Sequence, residues 1–207
     1  FTESQKDTSD YLGGNEDNLR WIAKKKYLSK NLKEIISQID AYMEKGEIIK
    51  DEEGHKIIRL KLKEEIFVIK KYQIKGSWHY LRKLFSQTRA LTAWKASHWF
   101  NAAGIKTFNI VAVIEKYNFL TTTESYLISL NQLEERLDLV DLNKACEYLI
   151  ENRLSSFFKR LEWIGFNHGD AKSANFFYGN NNLIVSDLDV SKRRHINCIL
   201  KYKLSKD

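Results

Sequence analysis

The chain contains no proline and only two cysteines and one methionine among its 207 residues. Without proline, helix ends must be marked by glycine and polar caps. Cys146 and Cys198 lie far apart and lack paired ligand spacing, so neither a zinc site nor a disulfide framework is predicted. No apolar run approaches the roughly 18 residues of a membrane span, Ile110 to Ile114 being typical of the longest, and the start lacks a basic-then-apolar leader pattern. A soluble, cytoplasmic protein is the expectation. The most telling absence is of acid. Between Ile66 and Ile114 there is no Asp or Glu, while Lys70, Lys71, Lys75, Arg82, Lys83, Arg89, Lys95 and Lys106 all fall there. Such a one-sided stretch predicts attraction to polyanions such as phosphates, anionic lipid heads or nucleic acid, against the plainer reading of ordinary solvated faces.

What is present is globular: 43% hydrophobic and 13% aromatic residues are enough for one well-buried core or two small lobes. Residues 1–18 are polar and acidic and read as a loosely ordered terminus. From Leu19 to about Lys45, Leu32, Ile35, Ile36, Ile39, Tyr42 and Met43 recur at helical spacing and predict one amphipathic helix ending near Gly46. The period then changes to alternation. Glu47–Lys50, Lys56–Leu62 and Ile66–Lys70, separated by polar turns, predict three antiparallel strands. A helix from about Ser77 to Ala103 follows, then strands over Phe108–Lys116 and Ser125–Leu130, which together make a five-stranded sheet with one inserted helix. Asp141 is a candidate N-cap for a helix running to Ile164. Phe176–Tyr178 and Leu183–Val185, joined by Gly179-Asn180-Asn181-Asn182, predict a hairpin.

The chemistry sits around that hairpin. Phe166-Asn167-His168-Gly169-Asp170-Ala171-Lys172-Ser173-Ala174-Asn175 contains H-x-D-x-K-x-x-N, and twelve residues after Asn175 comes Asp187, at the end of an apolar strand. Phosphoryl transfer from ATP asks for few protein groups, because positioning and charge neutralisation do most of the work. Asp170 can orient and deprotonate an acceptor hydroxyl, and Lys172 can reach the γ-phosphate. Asn175 offers a neutral oxygen and Asp187 an anionic one to Mg²⁺, a hard ion that prefers oxygen ligands. Lys70 closes Phe67-Val68-Ile69-Lys70, the strand position from which a lysine contacts the α and β phosphates. Gly54 is the single glycine of the polar turn Asp51-Glu52-Glu53-Gly54-His55. His168 reads as a structural ring beneath the loop. Asp189 is open between a second metal ligand and a hydrogen-bonding residue that shapes the loop.

On these motifs, together with Val68–His79 and the Gly104-Ile105-Lys106-Thr107 step, the chain resembles the protein-kinase-like superfamily and, within it, the bacterial lipopolysaccharide kinase family (Kdo/WaaP type), over roughly Gly46 to Lys192. The resemblance implies an α+β, two-lobed fold. Its N-lobe would span 19–130 around the five-stranded antiparallel sheet, and its small, mainly helical C-lobe would span 131–207 and carry the catalytic and metal-binding loops. It implies an ATP- and Mg²⁺-dependent phosphotransferase acting on an inner-core heptose or Kdo hydroxyl of lipopolysaccharide, peripheral at the cytoplasmic face of the inner membrane. Asp170 and Lys172 would be catalytic, Lys70, Gly54, Asn175 and Asp187 would hold nucleotide, and Asn175 and Asp187 would hold metal.

Three departures stand out. The acid-free window leaves Lys70 without the glutamate that kinases place on the following helix, so Asp187, Glu34 or Glu44 must partner it, or it stays free until nucleotide arrives. The phosphate turn carries Asp51, Glu52 and Glu53, which oppose an anion and predict lower nucleotide affinity. Gly169 stands where regulated kinases carry an arginine, and only twenty residues follow Asp187, so control by loop phosphorylation is not expected. The rival reading is a pseudokinase-like binding module. Nucleic-acid binding is not expected, because the aromatics of the basic window sit at helical, core-like spacing.

Overall fold

The computed structural model describes residues 8–16, 18–73, 87–118, 121–131, 135–140, 144–179 and 182–193. In chain order these form β1 (Tyr11–Glu16), β2 (Leu19–Lys24), α1 (Lys30–Ser37), α2 (Ile39–Lys45), β3 (Glu47–Glu52), β4 (His55–Leu62), β5 (Glu65–Gln73) and α3 (Arg89–Ala102). They continue with β6 (Ile110–Asn118), β7 (Thr121–Leu130), β8 (Glu135–Arg136), α4 (Lys144–Trp163), β9 (Phe166–Asn167), β10 (Phe176–Gly179), β11 (Asn182–Val185) and β12 (Lys192–Arg193).

One antiparallel sheet dominates, with strand order β1-β2-β6-β7-β5-β4-β3. It has seven strands where five were predicted. The two extra strands come from segments read as a loose terminus and as the start of a helix. In β2, Ala23 packs on one side of the sheet with Leu19 and Trp21, while Ile22 packs on the other, which is the period of a strand. The helical spacing begins only at Leu32. There Ser29 caps α1 by accepting the Leu32 N–H at 3.1 Å, and Gln38, at φ −128° and ψ 39°, breaks the predicted single helix into α1 and α2.

Alternation along the strands divides the core between the two faces of the sheet. On one face Phe67, Ile69, Ile58, Leu60, Tyr126 and Ile128 meet Leu32, Ile35, Ile36 and Ile39 of the two short helices. On the other, Tyr72, Val113 and Leu127 meet Trp94 and Phe100 of α3, and Phe157, Phe166, Phe176 and Leu188 from further along the chain. Large side chains removed this completely from water contribute about 1.5–3 kcal/mol each. α3 begins at Arg89, and the part of its predicted range before residue 87 lies outside the described residues. The predicted hairpin is present as β10 and β11, and β10 also pairs with β8. The proposed Asp141 cap lies outside the described residues; α4 itself runs from Lys144.

Candidate active site

β5 sends Phe67 and Ile69 to one face of the sheet and Val68, Lys70 and Tyr72 to the other, so Lys70 is presented where α3 and the later loops pack. Its ammonium donates to Asp187 Oδ1 at 3.1 Å. Of the three acids considered for Lys70, Asp187 is therefore the partner. Glu34 instead accepts from Tyr42 Oη at 2.6 Å, among the helices on the far side. Asp187 holds a left-handed backbone, φ 59° and ψ 49°, uncommon for a residue with a side chain and typical of constrained functional positions. Burial alone would raise the Asp187 carboxyl, but the charge and hydrogen bond of Lys70, helped by His55 and Arg89, outweigh it and hold the group below its ordinary value.

The H-x-D-x-K-x-x-N segment folds as a tight loop between β9 and β10. His168 is buried beneath it. Its Nδ1 accepts from the Asp170 N–H at 3.3 Å, leaving Nε2 to donate to Ser186 O at 2.9 Å, so the ring ties the loop to the residue before Asp187. Burial lowers its pKa, consistent with this neutral tautomer. Asp170 accepts from Lys172 Nζ at 2.9 Å and from Asn175 Nδ2 at 3.0 Å. The Lys172 bond, then that of Asn175, keeps the Asp170 carboxyl below its usual range, and the same bond raises Lys172. The Asn175 amide also donates to Asp170 O at 2.8 Å, while Asn175 O accepts from Ser186 N at 2.9 Å. With Nδ2 committed to Asp170, the amide oxygen is the atom available to a cation.

Lys70, Asn175 and Asp187 line one cleft of about 450 Å³. Ile57 and Val68 from the sheet, Leu130 at the end of β7, and Phe108 and Phe177 give it apolar walls. A cleft of this size, lined by apolar side chains together with a few charged ones, has room for a small-molecule ligand. The sequence did not mark these residues as cleft walls, although strand alternation was the signal that could have placed Val68 on the face of Lys70, and pairing adds Ile57, which lies opposite Lys70. Of the predicted site residues, Asp170 and Lys172 stand beside the cleft, bonded to each other and to Asn175, rather than in its lining, and Gly54 is farther removed. It sits at the β3–β4 turn with φ 78°, accepts from Gln73 N at 3.0 Å, and does not line the cleft. A larger hollow of about 640 Å³, where α1 and α2 meet β1 and β2, contains none of these groups.

Among the described residues no cluster of three or more His, Cys, Asp or Glu could cage a metal ion. Two oxygens, from Asn175 and Asp187, suit Mg²⁺ all the same, since this ion usually takes only one or two carboxylates and completes its octahedron with phosphate and water. Asp189 takes the second of the roles left open for it. Its buried carboxylate accepts from Arg89 Nε at 2.7 Å.

No family model matches the chain, and no curated protein matches it. Among solved structures, WaaP in complex with acyl carrier protein aligns over 84% of this chain and 73% of its own, at 16% identity and a TM-score of 0.60. The chain shares the WaaP fold. Vaccinia related kinase 3 aligns over 93% of this chain and 54% of its own, at 12% identity and a TM-score of 0.44, a likeness too loose to build on. Within this fold, β5 with Lys70 and the loop ending at Asp187 are the elements that face each other across the cleft.

Proposed function

We propose that the chain is an ATP- and Mg²⁺-dependent phosphotransferase acting on an alcohol group, with a heptose or Kdo hydroxyl of the lipopolysaccharide inner core as acceptor. The observation that carries the reading is the convergence of Lys70, Asp187 and Asn175 on one cleft, with Asp170 and Lys172 hydrogen-bonded beside it. The acceptor class is supported by the fold likeness to WaaP and by the family motifs in the sequence.

In this reading the bond from the γ-phosphorus to its bridging oxygen breaks, a bond to the acceptor oxygen forms, and the acceptor proton passes to Asp170. A carboxyl held below its ordinary range is ionised at neutral pH but weakly basic, so Asp170 acts chiefly by orienting the hydroxyl, which is enough for a loose transition state. Lys172 lies ready to move from Asp170 to the transferring phosphoryl group. Lys70 exchanges Asp187 for the α and β phosphates when nucleotide enters, freeing the carboxylate for metal. Bound Mg²⁺ would neutralise phosphate charge, held by Asp187 and the Asn175 oxygen.

The test is transfer from ATP to purified core heptose or Kdo acceptors, read by mass spectrometry. Asp170→Ala is expected to lower turnover by about 10²–10⁴-fold with ATP affinity kept. Undiminished turnover in that variant would remove the assigned mechanism.

A further inference from the structure

In protein kinases a helix acid steadies the strand lysine, yet α3 lies in the acid-free window. The helix instead begins with a cation. Arg89, the first residue of α3, donates through Nε to Asp189 at 2.7 Å and also contacts it through Nη2. The Asp189 side chain is only 1% exposed, so this is a buried carboxylate, and its Oδ2 takes both prongs of the guanidinium. The Arg89 guanidinium carbon lies 4.7 Å from the ring centre of Tyr72, a buried residue two positions along β5 from Lys70 on the same face. Two ion pairs thus reach the same short loop: Lys70 to Asp187 from the strand, and Arg89 to Asp189 from the helix. Between the two carboxylates stands Leu188, buried in the core that α3 builds.

We propose that Arg89 and Asp189 are positioning residues that replace the helix-acid contact with one of reversed polarity, holding Asp187 in its left-handed conformation. The geometry favours this over simple surface pairing in two ways. The pair anchors the residue two beyond Asp187, which restrains the very backbone turn that aims the Asp187 carboxylate. It also leaves Lys70 with no helix partner to release, so nucleotide can take Lys70 without loosening α3 from the loop. Helix and loop therefore stay docked with the site empty or filled. The consequence for metal binding rests on the kinase reading above, whereas the hold on the loop does not.

The experiment compares Arg89→Ala, Asp189→Asn, their double variant and Arg89→Lys with the parent protein, each first checked for a cooperative thermal transition. Amide hydrogen exchange is measured on the free protein. Exchange at residues 186–191 is expected to rise about 10-fold or more in both single variants, to rise no further in the double variant, and to be partly restored in Arg89→Lys, while β6 and β7 stay protected. Mn²⁺ binding with a non-hydrolysable ATP analogue, followed by electron paramagnetic resonance, is expected to weaken by about 10- to 100-fold in the single variants, as when an outer partner of a metal ligand is removed. Unchanged exchange at 186–191, or single-variant effects that simply add in the double, overturns the positioning role. If the parent protein fails to bind Mn²⁺ and nucleotide while exchange responds as described, the kinase reading falls and the hold on the loop stands.

Discussion

At Gly169 the backbone turns through φ 90°, and a β-carbon there would stand 2.6 Å from Val190 O. Both the left-handed region and the close backbone approach demand glycine. Gly169→Ala is expected to cost about 1–3 kcal/mol in urea denaturation, because neither the turn nor a carbonyl oxygen yields cheaply. The sequence indicated only that no arginine stands here; the reason for glycine lies in a contact with a residue from a distant loop. His168 carries a second prediction. Its ring is neutral and its pKa lies below the ordinary 6.5, with burial as the chief cause, so between those two values the unfolded chain binds more protons than the folded one. Stability is then complete above the ordinary value and declines as pH falls through the window below it. His98 and His55 are lowered by burial in the same way and add to the slope. Melting temperature should fall from about pH 7.5 to about pH 5.5, and His168→Asn should make that fall shallower. An identical slope in the variant would locate the effect elsewhere.

At the scale of elements, α3 shows how a cap can also tie a helix to the sheet. Thr88 Oγ1 accepts the Leu91 N–H at 3.2 Å and donates to Glu115 Oε1 at 2.7 Å, and Glu115 is buried in β6 while also taking Arg20 Nε at 3.2 Å. Removing the hydroxyl orphans a helix N–H and takes a partner from a buried carboxylate. Thr88→Ala should therefore cost about 1–2 kcal/mol by denaturant titration, with Thr88→Ser close to neutral. Element type was legible wherever a period ran uninterrupted, as in β4, β5, β6, β7 and the β10–β11 hairpin. It failed in 19–45, where three strand-period residues, Leu19, Trp21 and Ala23, precede a helical run of greater length and were absorbed into it. β1 was invisible for a different reason. Its Gly13 and Gly14 carry no strand signal, and what defines the strand is pairing with β2, including Gly14 opposite Trp21. The indole lies where a Gly14 β-carbon would be, only 2.5 Å from that position.

For the molecule as a whole, the charge of the basic window changes meaning once the chain is folded. Lys70 meets Asp187, Lys71 meets Glu124 at 2.8 Å and Arg89 meets Asp189, so acids from other segments neutralise three cations of the acid-free window. Lys75, Arg82 and Lys83, on which the expected anionic-surface contact also leaned, lie outside the described residues. A ligand that bridges Lys70 and Asp187 should stabilise the whole molecule. At about 100 Kd, Mg²⁺ with ATP is expected to add about 2.7 kcal/mol, seen as a raised Tm, and Asp187→Ala should abolish the rise. Absence of any rise in the parent protein would favour the binding-module reading. The sequence by itself determined the order of the chemical groups, because H-x-D-x-K-x-x-N and Asp187 are local patterns whose spacing is set along the chain. It also determined the face on which Lys70 emerges, because strand alternation is a local property. Only the tertiary structure decided that Asp187 partners Lys70 and that Arg89 partners Asp189. Those residues stand about a hundred positions apart, and what brings them within hydrogen-bonding reach is the burial of Tyr72, Trp94, Phe100 and Leu188 in one core.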